Sequence, residues 1–283
     1  MKHNQLAVIE NGLQIVPNAN EVRDIMQAME LEDMSQFPYG RIKAAAGGAT
    51  LFEVYEPGDE DPENVQEITG VIVMSHPCNA YWETAFGKGK DRTPACSSMD
   101  GKQGMTRDGE FIACQGCPYN QYGTAGEGAR GKACKNMRRI YLLRSGAGDL
   151  FPLIYTVPPT GLKAYDNYRA QVMIKYHGMM HGVVTRITLK KAQNGDGVAY
   201  STPVFEAMCR LQPAEVEGMR NYAQSFRAAA LKVGITEDDY RQGPAEGADA
   251  ACPAPGQDMP SANPTAEAIA QIEDDELPDG VFE

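Results

Sequence analysis

Tryptophan is nearly missing from this chain: Trp82 is the single one in 283 residues. Histidine is scarce as well, with four residues, His3, His76, His177 and His181. None falls in an H-E-x-x-H pattern, and neither a G-x-S-x-G elbow nor a Walker loop occurs. The common zinc-protease, serine-hydrolase and P-loop chemistries therefore have no footing here. No apolar run approaches the roughly 18 residues of a membrane-spanning helix. Residues 1–12 lack a charged-then-apolar leader pattern, so the expected compartment is the cytoplasm, with no membrane partner. Seven cysteines are an odd number and cannot form a complete disulfide set. In a reducing compartment they are expected as metal ligands and free thiols.

Basic residues are almost absent from one end. From Thr236 to Glu283 there are thirteen acids against one base, Arg241, which accounts for the whole net charge of −12. The remaining residues balance at zero, and the segment from Tyr81 to Arg139 holds ten bases against six acids. The body is thus neutral overall, with a locally basic stretch. Gly243–Thr265 also has almost no large apolar side chain. It cannot bury enough surface to offset the entropy of ordering, so residues 236–283 are expected to form a disordered acidic tail.

Residues 1–235 read as one domain of short strands with a few helices. Asn18 or Asn20 is placed to cap a helix over Glu21–Glu30, with Val22, Ile25, Met26 and Met29 on one face. Arg41–Ala45 and Thr50–Tyr55 flank Gly47-Gly48 as a hairpin. Val65–Met74 is a strand in which Gly70 marks a bulge or bend. Ile140–Leu143 and Phe151–Thr156 follow as strands, Leu162–Tyr176 has helical spacing, and Val183–Lys190 alternates as a strand. Ala199–Leu211 is divided between strand and helix. Pro213 opens a helix reaching about Val233.

The most informative stretch runs from Cys96 to Cys134. Cys96, the pair Cys114-x2-Cys117, and Cys134 make a four-thiolate set within a glycine-rich insert, about residues 83–137. Thiolates are strong zinc ligands, and a C-x2-C turn places two of them on adjacent corners of a tetrahedron. So many glycines leave little volume for an apolar core, which makes a structural zinc knuckle the expected organiser. The competing reading keeps Cys114 and Cys117 as a redox pair and the outer two as buried thiols. His76 with Cys78 forms a reserve ligand pair, and His177 and His181 stand four residues apart. Four thiolates close the zinc shell, which disfavours hydrolysis.

Cations and aromatics gather around this insert. Tyr81 and Trp82 lead in; Lys88, Lys90, Arg92, Arg130 and Lys132 lie within; Lys135, Arg138, Arg139 and Tyr141 lead out. Phe52 and Tyr55 on a neighbouring strand offer further rings. Cations that follow a backbone, with rings on which bases stack, suit sequence-tolerant binding of single-stranded nucleic acid. A solvated charged face with core aromatics is the alternative. The last twelve residues set acids, Asp274, Asp275 and Glu276 among them, beside Leu277, Val281 and Phe282. That pattern suits docking in a basic, apolar pocket of a partner.

The terminal sequence EDDELPDGVFE resembles the acidic tip of single-stranded DNA-binding proteins, including those of bacteriophages. The resemblance implies an OB-like β-barrel within an α+β fold, with a zinc-binding insertion and flanking helices. It also implies a non-catalytic role in DNA replication or recombination of a phage or mobile element, in a bacterial or infected host cell. The tail would then recruit replication or recombination proteins. Two rival functions are a zinc-containing interaction or transcription-regulatory module, and a nucleic-acid-modifying enzyme using Asp91, Asp100, Asp108 and Glu110 around magnesium.

Overall fold

The structure is a computed structural model that describes residues 7–8, 27, 39–59, 61–83, 93–126, 130–144, 151–175, 178–194, 197 and 199–239. All of them belong to the first of two units, Met1–Ala251; the second, Cys252–Glu283, lies outside the described residues, as does almost all of the helix expected over 21–30. The fold is mixed α+β: a large open sheet with two α-helices among the described residues. None of these helices is long and apolar enough to cross a membrane.

The strands in chain order are β1 (Ala7–Val8), β2 (Arg41–Ala44), β3 (Phe52–Tyr55), β4 (Glu63–Val65), β5 (Glu67–Tyr81), β6 (Cys96–Ser98), β7 (Gln103–Thr106), β8 (Phe111–Ala113), β9 (Lys135–Arg144), β10 (Leu153–Val157), β11 (Val183–Gln193) and β12 (Ala199–Arg210). The helices are α1 (Leu162–Lys175) and α2 (Pro213–Ala230). The sheet runs β1-β12-β11-β5-β9-β10-β2-β3-β4. Among the described residues no ladder joins its two outer strands, so a hydrogen-bonded barrel of the expected kind is not closed here.

Side-chain alternation explains why the sheet is covered on both faces. In β5, Ile68 and Ile72 enter one core while Val71 and Val73 enter the other. In β9, Ile140 and Leu142 face the first core, and Tyr141 and Leu143 the second. With period two, near-continuous apolar runs bury both faces at once. α1 covers the first face through Tyr165, Tyr168 and Val172. Phe205 of β12 lies edge-on to Tyr165 and stacks on Tyr168. α2 covers the second face through Met219, Tyr222 and Phe226. Pro213 opens α2 where its missing N–H is harmless, and the Glu215 carboxylate accepts the Gln212 N–H at 2.8 Å.

The sheet curls strongly. The turn between β2 and β3, with Gly47 and Gly48 at φ 73° and 75°, reaches across to β12. A Cβ on Gly48 would stand 3.1 Å from that of Ala199, and Ser201 Oγ donates to the Ala49 carbonyl at 2.6 Å. Gly70 is a point of close approach: a Cβ there would stand 2.1 Å from the Leu143 carbonyl oxygen. The register shift of the β5–β9 pair falls three residues later, between Ile72 and Met74.

β5 is the strand on which the insert depends. Its first third, Glu67 to Val71, pairs with β11 and its last three residues pair with β6, while β9 runs along the other side from Gly70 to Ala80. The end of the β5–β9 ribbon therefore leaves the main sheet and carries a small antiparallel sheet, β6-β7-β8.

Thr236–Asp239, expected at the root of the tail, belongs to the body. Asp239 is buried beside the fully buried Arg139. Arg139 donates to Asp239 (2.9 Å) and to the carbonyls of Val233 (2.6 Å) and Gly234 (3.0 Å). Asp239 also accepts from Arg41 (2.7 Å), Thr156 Oγ1 (3.0 Å) and the Thr236 N–H (2.9 Å). Burial alone would raise the Asp239 carboxyl, but Arg139, Arg41 and these donors outweigh it and leave its pKa below the ordinary carboxylate value.

Candidate functional site

The insert brings the four cysteines of the sequence pattern to one place. Cys96 opens β6 opposite Tyr81. Cys114 and Cys117 lie in the turn after β8, where Gly116 at φ 81° supplies a left-handed step. Cys134 immediately precedes β9. All four line one cavity of about 200 Å³, with Asn79, Tyr81, Glu83, Thr106, Asp108, Ile112, Tyr119 and Asn120 among its other walls. Burial, and then the neighbouring thiols Cys114, Cys117 and Cys96, push the Cys134 thiol up to about 12. Burial, and then Cys114 and Cys117, also raise Cys96.

The donors form walls of a cavity rather than a closed shell. Among the described residues, no three His, Cys, Asp or Glu side chains stand as a group that could hold a metal ion. Room is nonetheless kept for the Cys96 sulfur: a Cβ on Gly104 would lie 2.8 Å from it. The backbone braces the same cavity. Cys114 N–H donates to the Lys102 carbonyl, and Cys134 N–H to the Tyr119 carbonyl, each at 2.8 Å. Asn120 Nδ2 donates to the Cys114 carbonyl at 2.9 Å.

The expected cations take several different roles. Lys132 is half-buried: its Nζ donates to Asn136 Oδ1 (3.0 Å) and Asn120 Oδ1 (3.3 Å), and it lies 4.9 Å from the centre of the Tyr122 ring. Lys135 Nζ donates to the Lys132 carbonyl. Arg138 lies over the Tyr165 ring at 5.4 Å. Arg130 is exposed. Lys88, Lys90 and Arg92 lie outside the described residues, as do Asp274, Asp275, Glu276, Leu277, Val281 and Phe282 of the tail.

Three of the expected contacts are corrected by burial. Arg139 is consumed by the Asp239 pair. Tyr141 is fully buried, and its hydroxyl donates to the Ala230 carbonyl at 2.8 Å. Phe52 is fully buried, with its ring edge-on to Tyr155. Core packing claimed these side chains because each points inward at an alternate strand position, so none offers a face to a ligand. Tyr55 is half-buried, with Lys43 over its ring at 4.4 Å and its hydroxyl donating to Glu53. Trp82 is half-buried against the small cluster of Cys78, Ala80, Met137 and Ile235.

Other rings are exposed instead. Phe111 is 69% exposed, Tyr122 61% and Tyr119 48%. Tyr119 stacks on Tyr81 with centroids 4.2 Å apart and planes 15° from parallel. Phe111 stands opposite Met105, also exposed, across the β7–β8 ladder. The signal for Tyr119 and Tyr122 was their place in a glycine-rich segment without a core to receive them.

The reserve ligands and acids separate. Cys78 is fully buried, and His76 is buried with its Nδ1 at 3.0 Å from the Pro77 carbonyl. Asp100 accepts from the N–H groups of Lys102 and Gln103 and from Ser98 Oγ, which makes it a turn-former. Asp91 and His177 lie outside the described residues. No protein family, curated protein or solved structure matches this chain.

Proposed function

We propose that this protein binds single-stranded DNA without catalysis and with little sequence preference, in the replication or recombination of a phage or mobile element. The observation that carries the reading is the insert at the end of the β5–β9 ribbon. It gathers four thiols and leaves three aromatic rings exposed in a locally basic segment. Rings that accept any base face, with cations that follow any phosphate backbone, give binding that tolerates sequence.

Zinc belongs to this reading. Cys96, Cys114, Cys117 and Cys134 would hold it, and the donor chemistry and the space left by Gly104 beside Cys96 fit a four-thiolate site. Ligation requires the thiols to close inward and to lose their protons. A dication supplies the positive charge that reverses their mutual repulsion. The curl that brings Ala49 to Ser201 supports an OB-like parent barrel, with a side-chain contact where a ladder would close it. The acidic tail would recruit partner proteins in a bacterial or infected host cytoplasm.

Fluorescence anisotropy with labelled oligo(dT), duplex DNA and RNA, at low and high salt, tests the function. Tight binding to the single strand that weakens steeply with salt is the expected result. No binding by zinc-loaded, folded protein would overturn it. The exposed Met105–Phe111 pair would then favour the interaction-module reading.

A further inference from the structure

Tyr119 is held from two sides. It lies in the 3-10 turn Pro118–Asn120, directly after Cys117. Its carbonyl accepts the Cys134 N–H (2.8 Å) and Thr124 Oγ1 (3.2 Å). Its ring rests on that of Tyr81, the last residue of β5, so the prop is the end of the longest strand of the sheet. One ring face is taken by Tyr81, and 48% of the residue remains open. An aromatic ring fixed in this way loses little freedom when a second flat ring settles on it, which is the economy of a preorganised site.

The neighbouring charges say what kind of flat ring that is. Glu83 and Asp108 line the same cavity, so a phosphate entering beside Tyr119 would meet like charge. A neutral base would not, and a strand could lay a base here while its phosphates pass outside, toward exposed cations such as Arg130. We propose that a nucleobase of the bound single strand stacks on the open face of Tyr119, extending the Tyr81–Tyr119 stack by one member. This inference rests on the single-stranded DNA reading above and assigns its base contact to a ring of the basic segment that is not among the aromatics expected from the sequence.

The test compares full-length wild type, Y119F and Y119L in anisotropy titrations with labelled oligo(dT) over a range of salt. Y119F keeps the ring and should bind as wild type does. Y119L should bind roughly 5- to 100-fold more weakly, with the salt slope unchanged because no cation is removed. Wild-type affinity in Y119L, with wild type itself binding, would overturn the inference and leave the function intact. Absence of binding by wild type would overturn both. Should Y119L fail to fold, photocrosslinking of wild type to an oligonucleotide carrying iododeoxyuridine decides the matter. A crosslink mapped to Tyr119 supports the stack, and crosslinks confined to other residues refute it.

Discussion

Replacing Asp239 by Ala should be among the most damaging single changes in the body. The carboxylate holds Arg139 and Arg41 and accepts from Thr156 and the Thr236 N–H. The two arginines differ in exposure: the Arg139 side chain is 0% accessible and that of Arg41 22%. After the substitution Arg139 would remain charged in the interior with neutral partners alone, the Val233 and Gly234 carbonyls and the Tyr141 side chain. Breaking one side of a buried pair costs about 3–5 kcal/mol, a large part of the roughly 5–15 kcal/mol that holds a domain folded. With a urea m-value of about 2–3 kcal/mol/M, the midpoint should fall by about 1–2.5 M. R41A, at the wetter end of the network, should cost only about 1 kcal/mol. The pH dependence has a defined sign. Because the folded carboxyl lies below its unfolded value, its stabilisation is present above pH ~3.9 and is lost as pH falls through the lower folded pKa. Truncation supplies a second arm: a chain ending at Gln242 should keep the stability of the full chain, and one ending at Ile235 should lose as much as D239A. If D239A unfolds within 1 kcal/mol of wild type, or both truncations behave alike, the network does not anchor this segment.

Two further perturbations probe the ribbon that carries the insert. Burial, the largest effect, lowers His76 to about 4, against the hydrogen bonds to Pro77 and Met99 that raise it. The unfolded imidazole therefore takes its proton first, and stability should fall by about 3 kcal/mol as pH drops from 6.5 to 4. H76F should flatten that slope; equal slopes in urea titrations of the two proteins would exclude His76 as the source. G70A drives a Cβ toward the Leu143 carbonyl, 2.1 Å away, and backbone cannot swing aside. A loss of about 3 kcal/mol or more is expected, against about 1 kcal/mol for G109A, where φ is 85° but nothing lies within 4 Å. Similar thermal unfolding of the two variants would contradict the close approach.

Local patterns in the sequence went far where a single physical cause dominated. The Gly47-Gly48 hairpin, the helix from Leu162 and the Pro213 helix start all appear as their spacing implies. β12 resolved the ambiguity of Ala199–Leu211 through pairing with β11 along its whole length, a long-range effect that no local propensity carries. The four cysteines, far apart in the chain, do line one cavity, though among the described residues they do not stand as a metal-holding group. The ring and cation contacts were harder to read because composition cannot say which way an alternating strand turns. Arg139 and Tyr141 sit two residues apart and are both fully buried, whereas Arg138, directly before them, lies over Tyr165 of α1. Asp239 was counted with the acidic tail on charge alone, and its side-chain partners Thr156, Arg139 and Arg41 lie in strands 83, 100 and 198 residues earlier. The β6-β7-β8 sheet escaped notice because three- and four-residue strands leave no periodicity to detect.

The junction of β5 and β9 has an evolutionary consequence. Ala80 faces Lys135 across the ladder, so the chain leaves and rejoins the ribbon at adjoining positions. Everything between those residues is, to the main sheet, one enlarged hairpin loop, and loops tolerate lengthening at small entropic expense. Relatives could gain, lose or replace this module at one point without disturbing either covered core. Divergence in binding preference should then concentrate beyond Ala80, while the alternating residues of β5 and β9 before that point remain fixed by packing.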